Sequence, residues 1–202
     1  MTADSVTACA TGAGRQPTPV EMRRAMSTFA TGVTVVTAVD AAGEPVGFAC
    51  QSFASVSLNP PLVLFCADHS GRTWPRIREA GRFCVNVLAE DQSELCGRFG
   101  SGKGRKYDGL AWDLSRWRTP ALRDVLMRAH AEVYAVHAAG DHDVVIGRVL
   151  EVEAMEGGDG GTGGAERDPM LFFRGRFGLG SGPDDAREAA ARFAWGWGDH
   201  WG

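Results

Sequence analysis

The sequence is most informative first in what it lacks. It has no apolar run near the roughly 18–20 residues that a membrane helix requires, so a helical membrane-spanning protein is excluded. It has no basic excess: 21 Lys and Arg stand against 25 Asp and Glu, for a formal net charge of −4. A nucleic-acid binder would carry a basic balance or stripe, and that class falls away. The five cysteines, Cys9, Cys50, Cys66, Cys84 and Cys96, are odd in number and never spaced C-x-x-C, so neither a disulfide framework nor a zinc site is supported. Cys50, Cys66 and Cys84 lie within or beside strand-like apolar runs and read as small buried thiols of a reducing compartment. The N-terminus has Asp4 and no apolar signal core, which points to the cytoplasm. There is no G-x-S-x-G elbow, no H-E-x-x-H, no Walker A and no G-x-G-x-x-G between a strand and a helix. An enzyme built on this chain needs a cofactor that brings its own chemistry.

What is present describes a soluble globular protein. Hydrophobic residues make up 44% of the chain and charged residues 23%. A length of 202 residues fits one core with tails better than two domains. Residues 1–17, rich in Thr, Ala and Gly, read as a disordered tail. Thr18-Pro19-Val20-Glu21 is a capping box with proline at the first helical position. Val20, Ala25, Met26 and Phe29 then recur at helical spacing as far as Gly32. Strands are expected at 33–39 and 45–50 around a turn at 40–43, then at 52–58 until Asn59-Pro60-Pro61. The apolar run 62–66 suits a strand buried on both faces, and 82–88 shares that character apart from Asn86. Helices are expected at 74–80, ending at Gly81, and from Asp91 to Phe99 with a capping box to Glu94.

The basic, glycine-rich stretch 100–109 reads as a loop, either solvated or touching phosphate through Lys103 to Lys106. A strand pair at 131–137 and 143–153 turns around Gly140-Asp141-His142, and a short strand follows at 170–173. Five glycines in residues 157–164 suggest a surface insertion, and residues 179–202, with Trp195, Trp197 and Trp201, a helical tail. Closely spaced strands with scattered helices predict a mainly β fold, an antiparallel barrel with accessory helices. The split is then a tail at 1–17, a barrel domain at 18–178 and a Trp-rich tail at 179–202.

Four segments together resemble the short-chain flavin reductase family: residues 24–37 (RAMSTFATGVTVVT), 47–63 (GFACQSFASVSLNPPLV), 82–88 (RFCVNVL), and Gly140-Asp141-His142 with 171–178 (LFFRGRFG). The resemblance covers about Met22 to Gly178 and implies a homodimeric, six-stranded antiparallel split β-barrel that binds flavin near the subunit interface. It implies a flavin-ring site at Gly47, Phe48, Ala49, Cys50, Gln51 and Ser52. It implies a ribityl and phosphate loop with Cys66, Ala67, Asp68, Ser70, Arg72 and Thr73. It adds Asn86 to the flavin set and places Arg98 and Phe99 toward the far end of FAD. His142 becomes the catalytic residue near flavin and nicotinamide, with Phe173, Arg174, Arg176 and Phe177 closing over the nicotinamide. Cys50-Gln51, His69-Ser70-Gly71 and Phe177 depart from the family's commoner small polar pair, Ser-Ser pair and tyrosine. Asp141 and Asp143 flank His142, yet no second histidine lies at ligand spacing, so no metal is expected.

The implied activity is an NAD(P)H-dependent flavin reductase, NADH with FAD (or FMN, or NADPH), that hands reduced flavin to a partner flavin-dependent monooxygenase. Hydride transfer needs two rings held face to face rather than a side-chain nucleophile, which suits the missing catalytic motifs. Backbone N–H groups around residues 49–52 would steady negative charge on the reduced ring. Two other readings remain: a flavin- or haem-binding barrel without turnover, and a pyridoxamine phosphate oxidase-like FMN enzyme. The latter would need basic phosphate ligands, and the site segments are poor in Lys.

Overall fold

A computed structural model of the chain describes residues 15–102, 104–154 and 167–177. The expected features at 1–14, 157–164 and 179–202 lie outside the described residues. In chain order the elements are α1 (Pro19–Met26), β1 (Thr31–Gly32), β2 (Thr34–Val39), β3 (Pro45–Cys50), β4 (Ala54–Leu58) and β5 (Pro61–Asp68). Then come α2 (Trp74–Ala80), β6 (Arg82–Val87), α3 (Ser93–Gly100), β7 (Trp112–Leu114) and β8 (Pro120–Leu122). The long hairpin β9 (Met127–Ala139) and β10 (His142–Ala154) follows, and β11 (Leu171–Phe173) and β12 (Arg176–Phe177) end the described chain.

The fold is mainly β, as expected. One seven-stranded antiparallel sheet runs in the order β3-β2-β6-β9-β10-β5-β4. Its two ends are sequence neighbours, β3 and β4, so the sheet curls until they approach. Ser52, between them, ties this connection to β5: its Oγ accepts from Cys66 N at 2.8 Å. One cluster of buried side chains fills the interior of the curl: Val36 of β2, Phe48 of β3, Phe65 of β5, Phe83 and Val85 of β6, Ala129 of β9 and Val145 of β10. A second cluster lies on the outer face of β2 and β3, where Val33, Val35 and Ala49 meet Phe99 of α3, Leu122 of β8 and Phe172 of β11. β2 is thus buried on both faces, as Val- and Thr-rich strands of this kind tolerate.

The local differences from expectation have identifiable causes. The capping box at Thr18 forms, with Glu21 N donating to Thr18 Oγ1 and Thr18 N to the Glu21 carboxylate. The helix stops at Met26 instead of Gly32, because Ser27 Oγ and Thr28 Oγ1 bond back to Arg24 O and Ala25 O. It buries none of its residues. The second capping box does not form. α3 begins at Ser93, the Gln92 side chain accepts from Ala89 N, and Asp91 pairs with Arg167. β5 is not buried on both faces: Val63, Phe65 and Ala67 point inward and alternate with half-exposed Leu62, Leu64 and Cys66. The hairpin at 131–137 and 143–153 extends to thirteen residues on each side.

Gly147 marks how tightly the curl is filled. It lies at a register shift in β10, and a Cβ there would meet Phe83 Cζ at 2.4 Å. Phe83 is fully buried and cannot swing away. Gly147→Ala should therefore destabilise the protein by about 1–3 kcal/mol through overpacking. Denaturant unfolding would read this as a lower midpoint with an unchanged slope.

Candidate functional site

A cavity of about 1020 Å³ opens between β3 and two loops. Gly47 and Phe48 form its floor, Ala67, Asp68 and residues 70–74 one wall, and residues 99–102 with 104–108 the other. β5 delivers the first loop at Asp68, and α2 takes it up at Trp74. Asp68 folds the loop, its Oδ1 accepting from Ser70 N at 2.7 Å and its carbonyl from Gly71 N at 3.0 Å. Arg72 crosses to the second wall and donates to Gly102 O at 2.6 Å. The Thr73 side chain makes no capping bond to α2, so helix capping does not account for that hydroxyl.

The second wall contains the basic loop, and the structure decides between its two readings for Lys106. Lys106 is not solvated: its Nζ donates to Gly47 O at 3.0 Å and Phe99 O at 2.9 Å. Tyr107 anchors the same loop, its hydroxyl donating to Val46 O at 2.9 Å and its ring meeting Phe99 and Trp112 edge-on. Burial, helped by the nearby Arg72 charge, pulls the Lys106 ammonium down from its ordinary value near 10.5 to about 8. The cavity carries Arg72, Arg76, Arg105 and Lys106 against Glu44, Asp68 and Asp108. Arg76 is already neutralised by Asp40, which it grips with two nitrogens at 2.5 and 2.9 Å. Arg72, Arg105 and Lys106 remain to receive an anion. The segments that carried the resemblance are poor in Lys, yet the cavity gathers cations from both walls: Arg72 from the first loop, and Arg105 and Lys106 from the second.

Of the expected site residues, the cavity brings together Gly47, Phe48, Ala67, Asp68, Ser70, Arg72, Thr73 and Phe99. Ala49, Cys50, Gln51, Ser52 and Cys66 sit beside it rather than on it. Gln51 Nε2 is buried with no hydrogen-bond partner among the described residues. Cys50 is fully buried with its Sγ 3.2 Å from Ser52 Oγ, and burial pushes its thiol pKa up. Arg98 turns away from the cavity to Asp108 O at 2.9 Å, bracing the second loop.

Three residues have structural roles. Asn86 is a core residue: its Nδ2 donates to Val35 O and Thr37 Oγ1 and its Oδ1 accepts from Leu122 N, joining β6 to β2 and β8. Gly47 lacks a side chain for α3's sake as much as for a ligand's, since a Cβ there would meet Phe99 Cε1 at 2.8 Å. Gly140 likewise serves a turn, at φ +69° with open space around it.

The residues expected at the nicotinamide are not gathered at the cavity. His142 sits at the start of β10 opposite Asp68, half-buried, with Nδ1 2.7 Å from Asp141 Oδ1. Phe173, Arg174, Arg176 and Phe177 form the β11–β12 hairpin on β1, held by Arg174 N to Ser27 O at 2.8 Å. None of these five lines the cavity. His130, Glu151 and Glu153 bring potential ligand atoms within 4.8 Å of one another. Arg116 and Arg128 hold those carboxylates, and Thr119 lies 2.7 Å from His130 Nδ1, so the group works as an ion-pair network.

The unpartnered Gln51 amide beside the floor, with Arg72, Arg105 and Lys106 around the cavity, fits a ligand that joins a ring bearing carbonyls to a phosphate group. The comparisons point the same way. A family model described as "Flavin reductase like domain" matches residues 26–181. The reductase subunit HsaB of a flavin-dependent monooxygenase from Rhodococcus jostii is 43% identical over 79% of this chain and 76% of its own. The NADH-dependent FMN reductase SmoA of Agrobacterium fabrum is 40% identical over 77% of this chain and 83% of its own. The solved structure of the NADH:FAD oxidoreductase SgcE6 of Streptomyces globisporus, with NAD and FAD fragments, superposes with a TM-score of 0.71 at 31% identity. It covers 82% of this chain and 93% of the other.

Lys106 gives the site a pH signature. Its charge is lost as pH rises through about 8. ADP-ribose, whose diphosphate keeps its charge between pH 7 and 9, should bind progressively more weakly across that range. In Lys106→Met the affinity should be low and flat, as isothermal titration would show. For folding the sign is opposite: between about 8 and 10.5 the unfolded chain holds the extra proton, so this group's contribution to stability rises with pH.

Proposed function

The chain belongs to the flavin reductase like domain family, and from that premise we propose that it is an NAD(P)H-dependent flavin reductase, using NADH and FAD, that supplies reduced flavin to a partner monooxygenase. It is an oxidoreductase acting on flavin, like the relatives named flavin reductase and FMN reductase. The observation that carries the finer reading is the cationic cavity beside the buried, unpartnered Gln51 amide.

Bound flavin supplies the hydride acceptor, its N5, for the hydride leaving nicotinamide C4. The protein's share is to bind and orient. The backbone and small side chains of Gly47, Ala49, Cys50 and Ser52 would form the ring's seat, and Gln51 Nε2 would be free to donate to a ring carbonyl. Ser70, Arg72 and Thr73 face Lys106 and Arg105 across the phosphate portion. A dinucleotide makes fuller use of the cavity than a mononucleotide, which favours FAD. His142 lies at the nicotinamide edge, where Asp141 holds its ring by Nδ1. Phe173, Arg174, Arg176 and Phe177 close over the nicotinamide.

That closure requires a second copy of the chain, and exposed apolar surface supports one. α1 presents Val20, Met22 and Met26, Phe29 follows, and the edge strand β4 presents Val56 and Leu58, the last 90% exposed. An eight-residue helix that buries nothing within its own chain is marginal in water and gains from a covering partner. The dimer completes a six-stranded split barrel in each subunit, built from β2, β3, β5, β6, β9 and β10, over residues 18–178. No helix among the described residues is long and apolar enough to cross a membrane. The free thiols of Cys50, Cys66, Cys84 and Cys96, like the use of NADH, suit the cytoplasm.

Purified protein should oxidise NADH only when flavin is added, with a lower KM for FAD than for FMN. Absence of flavin-dependent oxidation with either nicotinamide would refute the reading. His142→Ala should lower kcat/KM for NADH by about 10- to 100-fold through lost orientation, and an unchanged value would remove His142 from the site. Phe29→Asp should convert the dimer to monomer in light scattering.

A further inference from the structure

The cavity loop 68–73 is fastened at both ends to one carboxylate that lies outside it. Asp143, second residue of β10, pairs in register with Ala67 and has a side chain only 10% exposed. Its Oδ1 lies 2.9 Å from His69 Nε2, where the loop leaves β5. Its Oδ2 accepts the Trp74 indole N–H at 2.8 Å, where the loop enters α2. Arg78 of α2 stands further off, 3.8 Å from Oδ2. The Trp74 ring is itself fixed, 4% exposed and edge-on to Phe65 at 5.8 Å. The His69 backbone N–H reinforces the entry end by donating to Asp141 O at 3.0 Å. The indole and histidine bonds hold the Asp143 carboxyl below the usual carboxylate range, as expected of a charged acceptor kept ionised.

Neither His69 nor Asp143 lines the main cavity. With Trp74, Pro75, Arg78 and Glu79 they line a separate depression of about 450 Å³ on the far side of Trp74. Their side chains face that depression, so their effect on the main cavity passes through the loop. Between its two ends the loop holds itself by short-range bonds within Asp68, Ser70 and Gly71, and by Arg72 reaching Gly102.

We infer that His69 and Asp143 are positioning residues, a clasp that holds loop 68–73 in its ligand-ready shape and so sets the affinity for the phosphate-bearing part of the flavin. The inference rests on the proposed function for its ligand but not for its geometry. A loop that is ready only part of the time weakens binding in proportion to that fraction, without slowing the reaction once flavin is bound.

The test compares His69→Ala with His69→Gln, whose amide Nε2 reproduces the position of the histidine Nε2 donor, and with Trp74→Phe, which keeps the ring and deletes the indole N–H. His69→Ala and Trp74→Phe should each raise the flavin KM by about tenfold, as expected if the ready state falls to a tenth. The kcat at saturating flavin and the KM for NADH should stay near wild type. His69→Gln should recover most of the loss. An unchanged flavin KM, a fall in kcat instead, or no rescue by glutamine would overturn the clasp. Hydrogen exchange on the ligand-free protein separates this from the proposed function. The amides of 69–73 should exchange faster in His69→Ala than in wild type even if the wild type reduces no flavin, and equal exchange would overturn the clasp by itself.

Discussion

The structure turns on the packing around Phe65. Its ring receives Phe83 edge-on at 5.2 Å, Trp74 at 5.8 Å and Phe48 at 5.9 Å. These rings come from α2 and from β5, β6 and β3, none of which is a neighbour of another in the sheet order. Burying four aromatic side chains against one another is a large apolar gain with directional edge-to-face contacts. It can be had only if the sheet curls until β3 stands across from β5. The curl sets the site: it brings Gly47 and Phe48 beside the loop leaving β5, and it holds the Trp74 ring from which that loop's exit is fixed. Gly147 is the reciprocal constraint, since Phe83 occupies the space a side chain there would need.

The site built on this frame works by placement and charge. Lys106 is drawn off the surface into two backbone carbonyls, Gly47 O on the floor and Phe99 O at the end of α3. It therefore ties the second wall to the floor and lowers the cost of bringing an anion into the cavity. Its depressed pKa measures the strain of holding a buried ammonium near Arg72 before that anion arrives. The absence of a nucleophile in the sequence agrees with this arrangement. Hydride transfer between two bound rings asks for alignment and a suitable field, and backbone groups with a few cations supply both.

Much of the fold was legible in the sequence, and the gaps follow from physical causes. α2, β3 and the Thr18 capping box were readable from their punctuation: Gly81 at the end of α2, the turn at 40–43 before β3, Pro19 after the cap. The end of α1 was not, because side chains of Ser27 and Thr28 competing for helix carbonyls leave no periodic trace. β7 and β8 are three residues each, too short for any pattern. In the cavity, the two segments with strong local texture, 47–53 and 66–73, supply Gly47, Phe48, Ala67, Asp68 and residues 70–73. Lys106 was visible only as one charge in a glycine-rich stretch. Its role depends on Tyr107 anchoring to Val46 across some sixty residues, which no local pattern reveals. Asn86 misled for a similar reason: a lone amide in an apolar strand looks the same whether it faces a ligand or joins three strands. In the sequence His69 stood out only as a departure from the family's Ser-Ser pair and Asp143 only as a neighbour of His142, and only the β5–β10 register brings them together.

The central claim is that one cavity, between loop 68–73 and Lys106, holds the phosphate portion of a flavin whose ring rests on the backbone after Gly47. A crystal structure of the protein with FAD tests it most directly. The account predicts the diphosphate within hydrogen-bond reach of Lys106 Nζ and the Ser70 to Thr73 stretch, with a ring carbonyl on Gln51 Nε2. FAD bound elsewhere, with Lys106 still bonded only to Gly47 and Phe99, would contradict it.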